Sequence, residues 1–190
     1  MSMSTLTIHP LTPERWPDLQ AYFEGPAFAD NPRWRSCYCQ FLYVDHRKVI
    51  WAERSAEENR TQACERACSG GMQGYLAYRD GAVVGWCNAA PRLLMDGFAD
   101  EPDPDAAHLG QITCFVVAKD QRRSGVATAL LEAACAGLKA QGLKWAEASP
   151  KLDAADDASH HYGPLSLYER TGFQVIRPSD HGCVIVRKAL

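Results

Sequence analysis

"CFVVAKDQRRSGVATALL", Cys114–Leu131, is the stretch on which the reading of this chain turns. The apolar run from Gln111 to Lys119, "QITCFVVAK", is rich in β-branched residues and reads as a central strand. It gives way to a short polar turn, then Gly125, then a segment rich in alanine and leucine. There Val126, Ala127, Leu130, Leu131, Ala134 and Leu138 recur at spacings of three and four, which is the period of a helix with one apolar face. Gly142 ends it. A strand that turns directly into a helix leaves the first helical N–H groups and the positive end of the dipole facing outward, an arrangement that suits an anionic phosphate. Gly125 and small Ala127 let a pyrophosphate approach the backbone, and Arg122 and Arg123 add positive charge. Solvated arginines beside a turn glycine would give the same local pattern, so these residues alone leave both readings open.

The elements on either side alternate in a legible order. Upstream, "TLTIHPL" alternates apolar and polar side chains and reads as a first strand. Thr12-Pro13 opens a helix through Phe23, with Pro17 making its start irregular or late. Asp45 caps a short helix through "HRKVIWAER", and Ser55-x-x-Glu58 is a capping box for a helix that Gly70 and Gly71 end. In "GYLAYRDGAVVGWCNAA" two strands meet at the hairpin signal Asp80-Gly81. The stretch 91–110, rich in proline and carboxylates, reads as a loop. Downstream come a strand in "LKWAEAS", a short helix in "GPLSLYERTG", and closing strands "FQVIR" and "CVIVRKAL". The sum is a single mixed α/β (α+β) domain over 1–190, with early antiparallel pairs and one later strand–helix–strand crossover.

Composition narrows the class. The chain has 190 residues, 46% of them apolar, and a net charge of −3, which argues against a disordered segment or a basic nucleic-acid binder. No apolar run approaches the ~20 residues that span a bilayer. The start "MSMSTLTIHP" lacks a secretory pattern, so a cytoplasmic protein without a membrane or nucleic-acid partner is expected. Of the eight cysteines, Cys114, Cys135 and Cys183 lie in apolar runs where a thiol acts as a small hydrophobe. Cys37-x-Cys39 has no second CxxC or spaced histidine pair, and Cys64 and Cys68 share only one helix face. Thiols of the core or a pocket wall, with no metal, are the expectation.

Two motifs together carry a resemblance. Arg122-Arg-Ser-Gly125-Val-Ala127 matches the (Arg/Gln)-x-x-Gly-x-(Gly/Ala) motif of the GNAT acetyltransferase superfamily, and does so in a strand–turn–helix setting. "LSLYERTGF", Leu165–Phe173, is similar to that family's second landmark, a short helix that bears a tyrosine and ends in Gly-Phe. The order of elements resembles the family's from Thr5 to Leu190, least well over 25–57 and 91–110. The resemblance implies the GNAT fold, a mixed and mostly antiparallel central sheet flanked by helices. It also implies an N-acetyltransferase with acetyl-CoA as co-substrate and no metal, in which an amine attacks the thioester directly in a ternary complex. Backbone groups of Phe115, Val116 and Val117 would pair with the pantetheine arm and polarise the acetyl carbonyl, typically the largest catalytic contribution. Arg122, Arg123, Ser124, Gly125, Val126, Ala127 and Thr128 would cradle the pyrophosphate. Tyr168 would protonate the departing thiolate; a thiol near 8.5 and a tyrosine near 10 allow it. The plainer reading of Tyr168 is a buried tyrosine.

One departure bears on the acceptor. Family members that acetylate lysine often carry glutamate six residues before the position of Val117; this chain has Gln111 there. Deprotonating an amine of pKa about 10.4 at pH 7 costs roughly 4.6 kcal/mol, against about 1 kcal/mol for an α-amine near 7.8. The acceptor is therefore a less basic amine, or another group assists; Asp96, Glu101, His108, Glu147, His160 and His161 are the candidates. The aromatic segment 25–57 either lines the acceptor pocket or covers the sheet. The acidic loop 91–110 either folds over the acceptor cleft or is simply solvated. The expected acceptor is a small-molecule primary amine, with two alternatives: a catalytically silent acyl-CoA-binding module, or an enzyme for a peptide or protein α-amine. Family members are frequently homodimers, and no segment of this chain specifies an interface.

Overall fold

A computed structural model describes residues 5–153 and 160–190. Seven strands form one sheet: β1 (Leu6–Pro10), β2 (Gly74–Arg79), β3 (Ala82–Pro91), β4 (Leu109–Val117), β5 (Trp145–Ala148), β6 (Gln174–Pro178) and β7 (Val184–Ala189), in the order β1-β2-β3-β4-β5-β7-β6. All neighbours are antiparallel except β4 and β5, which α3 (Val126–Ala140) connects as a crossover. Remaining helices are α1 (Trp16–Glu24), α2 (Ala56–Ser69) and α4 (Leu165–Arg170).

The local signals explain most boundaries. At Ser55 the capping box forms: its hydroxyl accepts from the Glu58 N–H at 3.1 Å and its own N–H reaches the Glu58 carboxylate at 2.7 Å. Such a cap contributes about 1 kcal/mol. Gly70, left-handed at φ 77°, stops α2. Asp80 and Gly81, at φ 52° and 80°, make the tight turn between β2 and β3. The expected helix through 45–54 shrinks to a single turn at Trp51–Glu53. Asp45 spends its carboxylate on the Arg47 N–H and guanidinium instead, a local bond that competes with helix formation.

Alternation along the strands sorts the core onto two faces. On one, Leu130, Leu131, Ala134 and Leu138 of α3 pack on Ile112, Phe115 and Ala146. On the other, α1, α2 and the segment 27–43 cover Leu76, Trp86 and Val116. Each fully buried leucine contributes about 1.5–3 kcal/mol. Gly85 sets how closely α3 seats: a Cβ there would lie 2.7 Å from Val126 Cγ1 and 3.2 Å from Leu130 Cδ1.

The loop 91–110 is not loose. Three single helical turns run through it, at Arg92–Leu94, Asp96–Phe98 and Ala106–His108. Buried Arg92 stacks 4.2 Å over the Phe98 ring and donates to the Glu101 carbonyl at 2.7 Å. Arg187 of β7 reaches Asp103, Asp105 and Glu147 at 3.1, 3.2 and 2.6 Å. The acidic side chains thus fasten the loop to the sheet.

The feature that positions the site is a defect in β4. Its register with β3 runs Asn88↔Cys114 and then Ala89↔Ile112, so Thr113 is an extra, bulged residue. Pairing of β4 with β5 stops at Ile112↔Ala148, at that same place. Beyond it β4 continues to Val117, while the chain after β5 stays with β7 through a bridge between Lys151 and Cys183. The two parallel strands part and leave one edge of β4 open. Gly85→Val should overpack the seat of α3 and lower unfolding free energy by about 1–3 kcal/mol in urea titrations. A loss below about 0.5 kcal/mol would show that the close approach is not enforced.

Candidate active site

Phe115 and Val117 lie two apart on β4, so their backbone N–H groups share the open edge, whereas those of Val116 face β3. The Val117 carbonyl on this edge accepts from Arg122 Nε at 3.2 Å. The expectation that Phe115 offers its N–H to a ligand meets an obstacle. That N–H donates to the His161 carbonyl at 2.6 Å, so a turn of the chain itself occupies the edge. Tyr22, at 3.1 and 3.2 Å from the carbonyls of Val116 and Val84, pins the ends of β4 and β3 from beneath.

Above the edge, Arg122–Thr128 forms the turn and the start of α3. Arg123 and Gly125 are both left-handed, at φ 60° and 84°. Gly125 is the N-cap and no side chain caps the helix, so its first N–H groups face the space above the turn. A Cβ on Gly125 would meet nothing within 4 Å. Ser124 steadies the turn by donating to the Gln121 carbonyl at 2.6 Å, and Arg79 holds the Gln121 side chain at 2.5 Å. These are the features an anionic pyrophosphate needs. Arg122 departs from its expected part as a local positive charge: its guanidinium grips Asp30 at 2.6 and 3.1 Å. That bond holds the Asp30 carboxyl below its ordinary pKa. Arg122 therefore fastens the 25–57 segment to the end of β4.

Edge, turn and segment 25–57 enclose one cavity of about 830 Å³, of ligand-binding size. Phe115, Val116, Val117, Gly125 and Thr128 line it, as do Phe28, Trp34, Phe41 and Trp51 of the aromatic segment. Among the described lining residues none belongs to 91–110, so the acidic loop does not fold over the cleft. Cys37 and Cys39 are on the wall beside Cys114. Burial pushes the Cys37 thiol up to about 11, and a hydrogen bond to Cys114 together with burial raises Cys39 well above its usual range. Both are neutral thiols at pH 7 and poor nucleophiles. Among the described residues no three His, Cys, Asp or Glu side chains gather as a metal site.

Tyr168 is not on the cavity wall. It is fully buried, packs edge-on against Phe115 and Phe173, and donates its hydroxyl to the Tyr162 carbonyl at 2.6 Å. Gly163, on the wall, lies close to it: a Cβ there would sit 3.3 Å from the Tyr168 hydroxyl and 3.4 Å from the Phe115 ring. Burial raises the Tyr168 pKa well above its ordinary value. The wall carries Tyr162 instead, itself pushed by burial to about 12. Of the base candidates, His160 and His161 line the cavity, with His161 edge-on to Trp34 at 4.4 Å. Asp96, Glu101, His108 and Glu147 do not. Glu147 is buried under Arg187 and takes the Gln111 amide at 2.9 Å. Gln111 lies before the bulge and off the cavity wall, so its side chain is a partner for Glu147.

Sequence reading missed the pairing of Asp30, the turn 160–163, and a buried chain of Tyr43, Asn88 and Thr113. Only Asn88 carries a local signal, a lone amide inside the apolar run "GWCNAA".

The family profile described as Acetyltransferase (GNAT) family matches residues 27–173, which include the turn, the open edge and α4. The chain belongs to the GNAT acetyltransferase family. Solved GNAT structures share its fold at low identity. The acetyltransferase of GNAT family from Streptococcus pneumoniae is 17% identical, with a TM-score of 0.58 over 98% of this chain and 100% of that one. A ribosomal-protein-alanine N-acetyltransferase from Brucella melitensis is 19% identical, with a TM-score of 0.57 over 97% and 99%. YncA from Salmonella typhimurium, solved with its cofactor acetyl-CoA, is 14% identical, with a TM-score of 0.58 over 97% and 94%. No curated protein sequence matches the chain significantly. GNAT acetyltransferases take acetyl-CoA as co-substrate, and the uncapped helix start beside the cavity fits its pyrophosphate. No described helix is long and apolar enough to cross a membrane.

Two substitutions test this assembly. Gly125→Glu should abolish acetyl-CoA binding in calorimetry by placing bulk and like charge in the cradle; retained micromolar affinity would contradict the placement. Asp30→Asn should change unfolding free energy by less than about 1 kcal/mol, since the pair is partly exposed. It should nonetheless raise the KM of any acceptor severalfold by freeing the 25–57 segment. An unchanged acceptor KM would remove that segment from the acceptor site.

Proposed function

We propose that this protein is an N-acetyltransferase that moves the acetyl group of acetyl-CoA to a primary amine of a small molecule, by direct attack within a ternary complex. The observation that carries the reading is the continuity of one cavity from the uncapped start of α3, along the open edge of β4, to the aromatic segment. A co-substrate and an acceptor can then meet at Phe115–Val117. When bound, the thioester supplies an activated acetyl group: the amine nitrogen bonds to its carbon, the C–S bond breaks, and a proton from the amine ends on the solvent or a base while the sulfur gains one.

The chain's residues divide that work. Arg122 to Thr128 hold the phosphates through backbone N–H groups. The N–H groups of Val117 and Phe115 face the developing negative charge, the latter once the His161 carbonyl turns aside. Of the base candidates, the imidazoles of His160 and His161 are on the wall to receive the amine proton. By the family's motif Tyr168 is the donor to the departing sulfur; from its buried place behind the wall it would first have to release the Tyr162 carbonyl and turn into the cavity. Burial raises its pKa and keeps the proton on its own oxygen, so it would steady the departing thiolate by a hydrogen bond while the sulfur takes its proton from solvent. The site reads as cytoplasmic chemistry, where reduced thiols such as Cys37 and Cys39 persist.

The bond from Phe115 to His161 favours a second reading, an acyl-CoA-binding module without turnover. A screen of acetyl-CoA turnover over amines, amino acids and peptides separates the two. Tight binding with no product from any amine or peptide would establish the silent module. Tyr168→Phe should lower kcat by about 10² while leaving acetyl-CoA affinity within threefold. An unaltered kcat, with a loss in Tyr162→Phe, would move the donor role to Tyr162.

A further inference from the structure

On the face covered by the 25–57 segment, three buried polar side chains bond to one another beside the cavity. Tyr43, Asn88 and Thr113 are 0, 1 and 6% exposed, and Asn88 and Thr113 belong to the cavity wall. Their bonds have a direction. The Tyr43 hydroxyl donates to Asn88 Oδ1 at 2.9 Å, which turns the Asn88 amide nitrogen toward Thr113 Oγ1, at 2.8 Å. Thr113 therefore accepts, and its own hydrogen has still to be placed. It donates to no described residue. Leaving a buried hydroxyl hydrogen without an acceptor is costly, so this group is poised for an oxygen that arrives with a ligand. Thr113 is also the bulge residue, two before Phe115 on the open edge. An atom it holds lies next to the place where the acetyl group is transferred.

Other parts of the wall are of a different character. Trp34, Phe41 and Trp51 make this part of the wall aromatic, with Phe41 and Trp51 edge-on at 5.1 Å. Phe41 remains 41% exposed, surface that a flat ligand would cover. The charged side chains on the described wall are arginines, Arg33, Arg122, Arg123 and Arg170, and no carboxylate stands among the described lining residues to attract a substrate with several positive charges.

We propose that the acceptor is a small aromatic amine bearing an oxygen that accepts a hydrogen bond from Thr113, its ring held by Trp34, Phe41 and Trp51. This rests on the acetyltransferase reading. The amine stands beside the oxygen-bearing carbon, the oxygen meets the Thr113 hydroxyl at the bulge, and the ring extends into the aromatic wall. The directed chain from Tyr43 makes Thr113 a specificity-determining residue. It rewards the oxygen and is indifferent to the co-substrate.

The test compares phenylalaninol, which carries ring, amine and hydroxyl, with phenethylamine, which lacks the oxygen, and with spermidine, which carries several charges. Turnover is followed by loss of the acetyl-CoA thioester, and acetyl-CoA affinity by calorimetry. The wild-type protein should favour phenylalaninol over phenethylamine by about tenfold or more in kcat/KM, and spermidine should be the poorest. Thr113→Val, which keeps the shape and removes the hydrogen, should erase that preference without changing acetyl-CoA affinity; Thr113→Ser should keep it. Trp51→Ala should raise the KM of both aromatic amines severalfold. Equal wild-type turnover of the two aromatic amines, or preference for spermidine, overturns the proposal even if Thr113→Val fails to fold, and leaves the acetyltransferase reading standing. Absence of acetyl-CoA binding removes that reading and this inference with it.

Discussion

The parting of β4 from β5 is the constraint on which the rest of this molecule depends. A parallel pair held over its full length would bury every backbone donor between the strands and leave no slot. The extra residue at Thr113 bends and twists β4 where pairing with β5 ends, and the last five residues of the strand emerge with an open edge. Open edges inside a protein need partners. Two are supplied locally: the His161 carbonyl takes the Phe115 N–H, and Arg122 binds the Val117 carbonyl. The edge is thus satisfied at rest by groups that a ligand can replace, at the cost of moving a turn rather than unfolding a strand.

The same arrangement couples the two ends of the cavity. Arg122 belongs to the turn before α3, yet its side chain spans Asp30 in the 25–57 segment and the end of β4. Any shift of that turn would therefore pull on the segment that carries Trp34, Phe41 and Trp51. On the far side of the sheet's centre, Arg187 and Arg92 gather Glu147, Asp103 and the Glu101 carbonyl into a cluster that closes the other end of β5. The carboxylates there are paired with Arg187 and Arg92, whereas the charged side chains on the described cavity wall are arginines.

Much of this was legible in the sequence, because the signals were local. The run into Val117, the glycine at 125, and the spacing of Val126 to Leu138 each report a strand, a turn or a helix face within a few residues. The capping box at Ser55 and the hairpin at Asp80-Gly81 do the same. What was not legible depends on groups far apart in the chain. Arg122 meets Asp30 across 92 residues, and Tyr43 meets Asn88 across 45. The bulge leaves no mark in "GQITCFVV", since the extra residue shows only against its partner strand. The short helix expected after Asp45 failed because a carboxylate that can cap a helix can equally bind its neighbours' side chains. The carboxylates of 91–110 looked available for a cleft because nothing in their own stretch reveals Arg187.

Hydrogen exchange at single amides, measured by NMR with and without acetyl-CoA, tests the central claim most directly: that the open edge of β4 and the start of α3 form one binding surface. The account predicts that the amides of Val117 and of Val126 to Thr128 become at least tenfold more protected together when acetyl-CoA binds, with the signals of His161 and Phe115 shifting in the same titration. Saturating binding that leaves the Val117 and Val126 amides unchanged would contradict it.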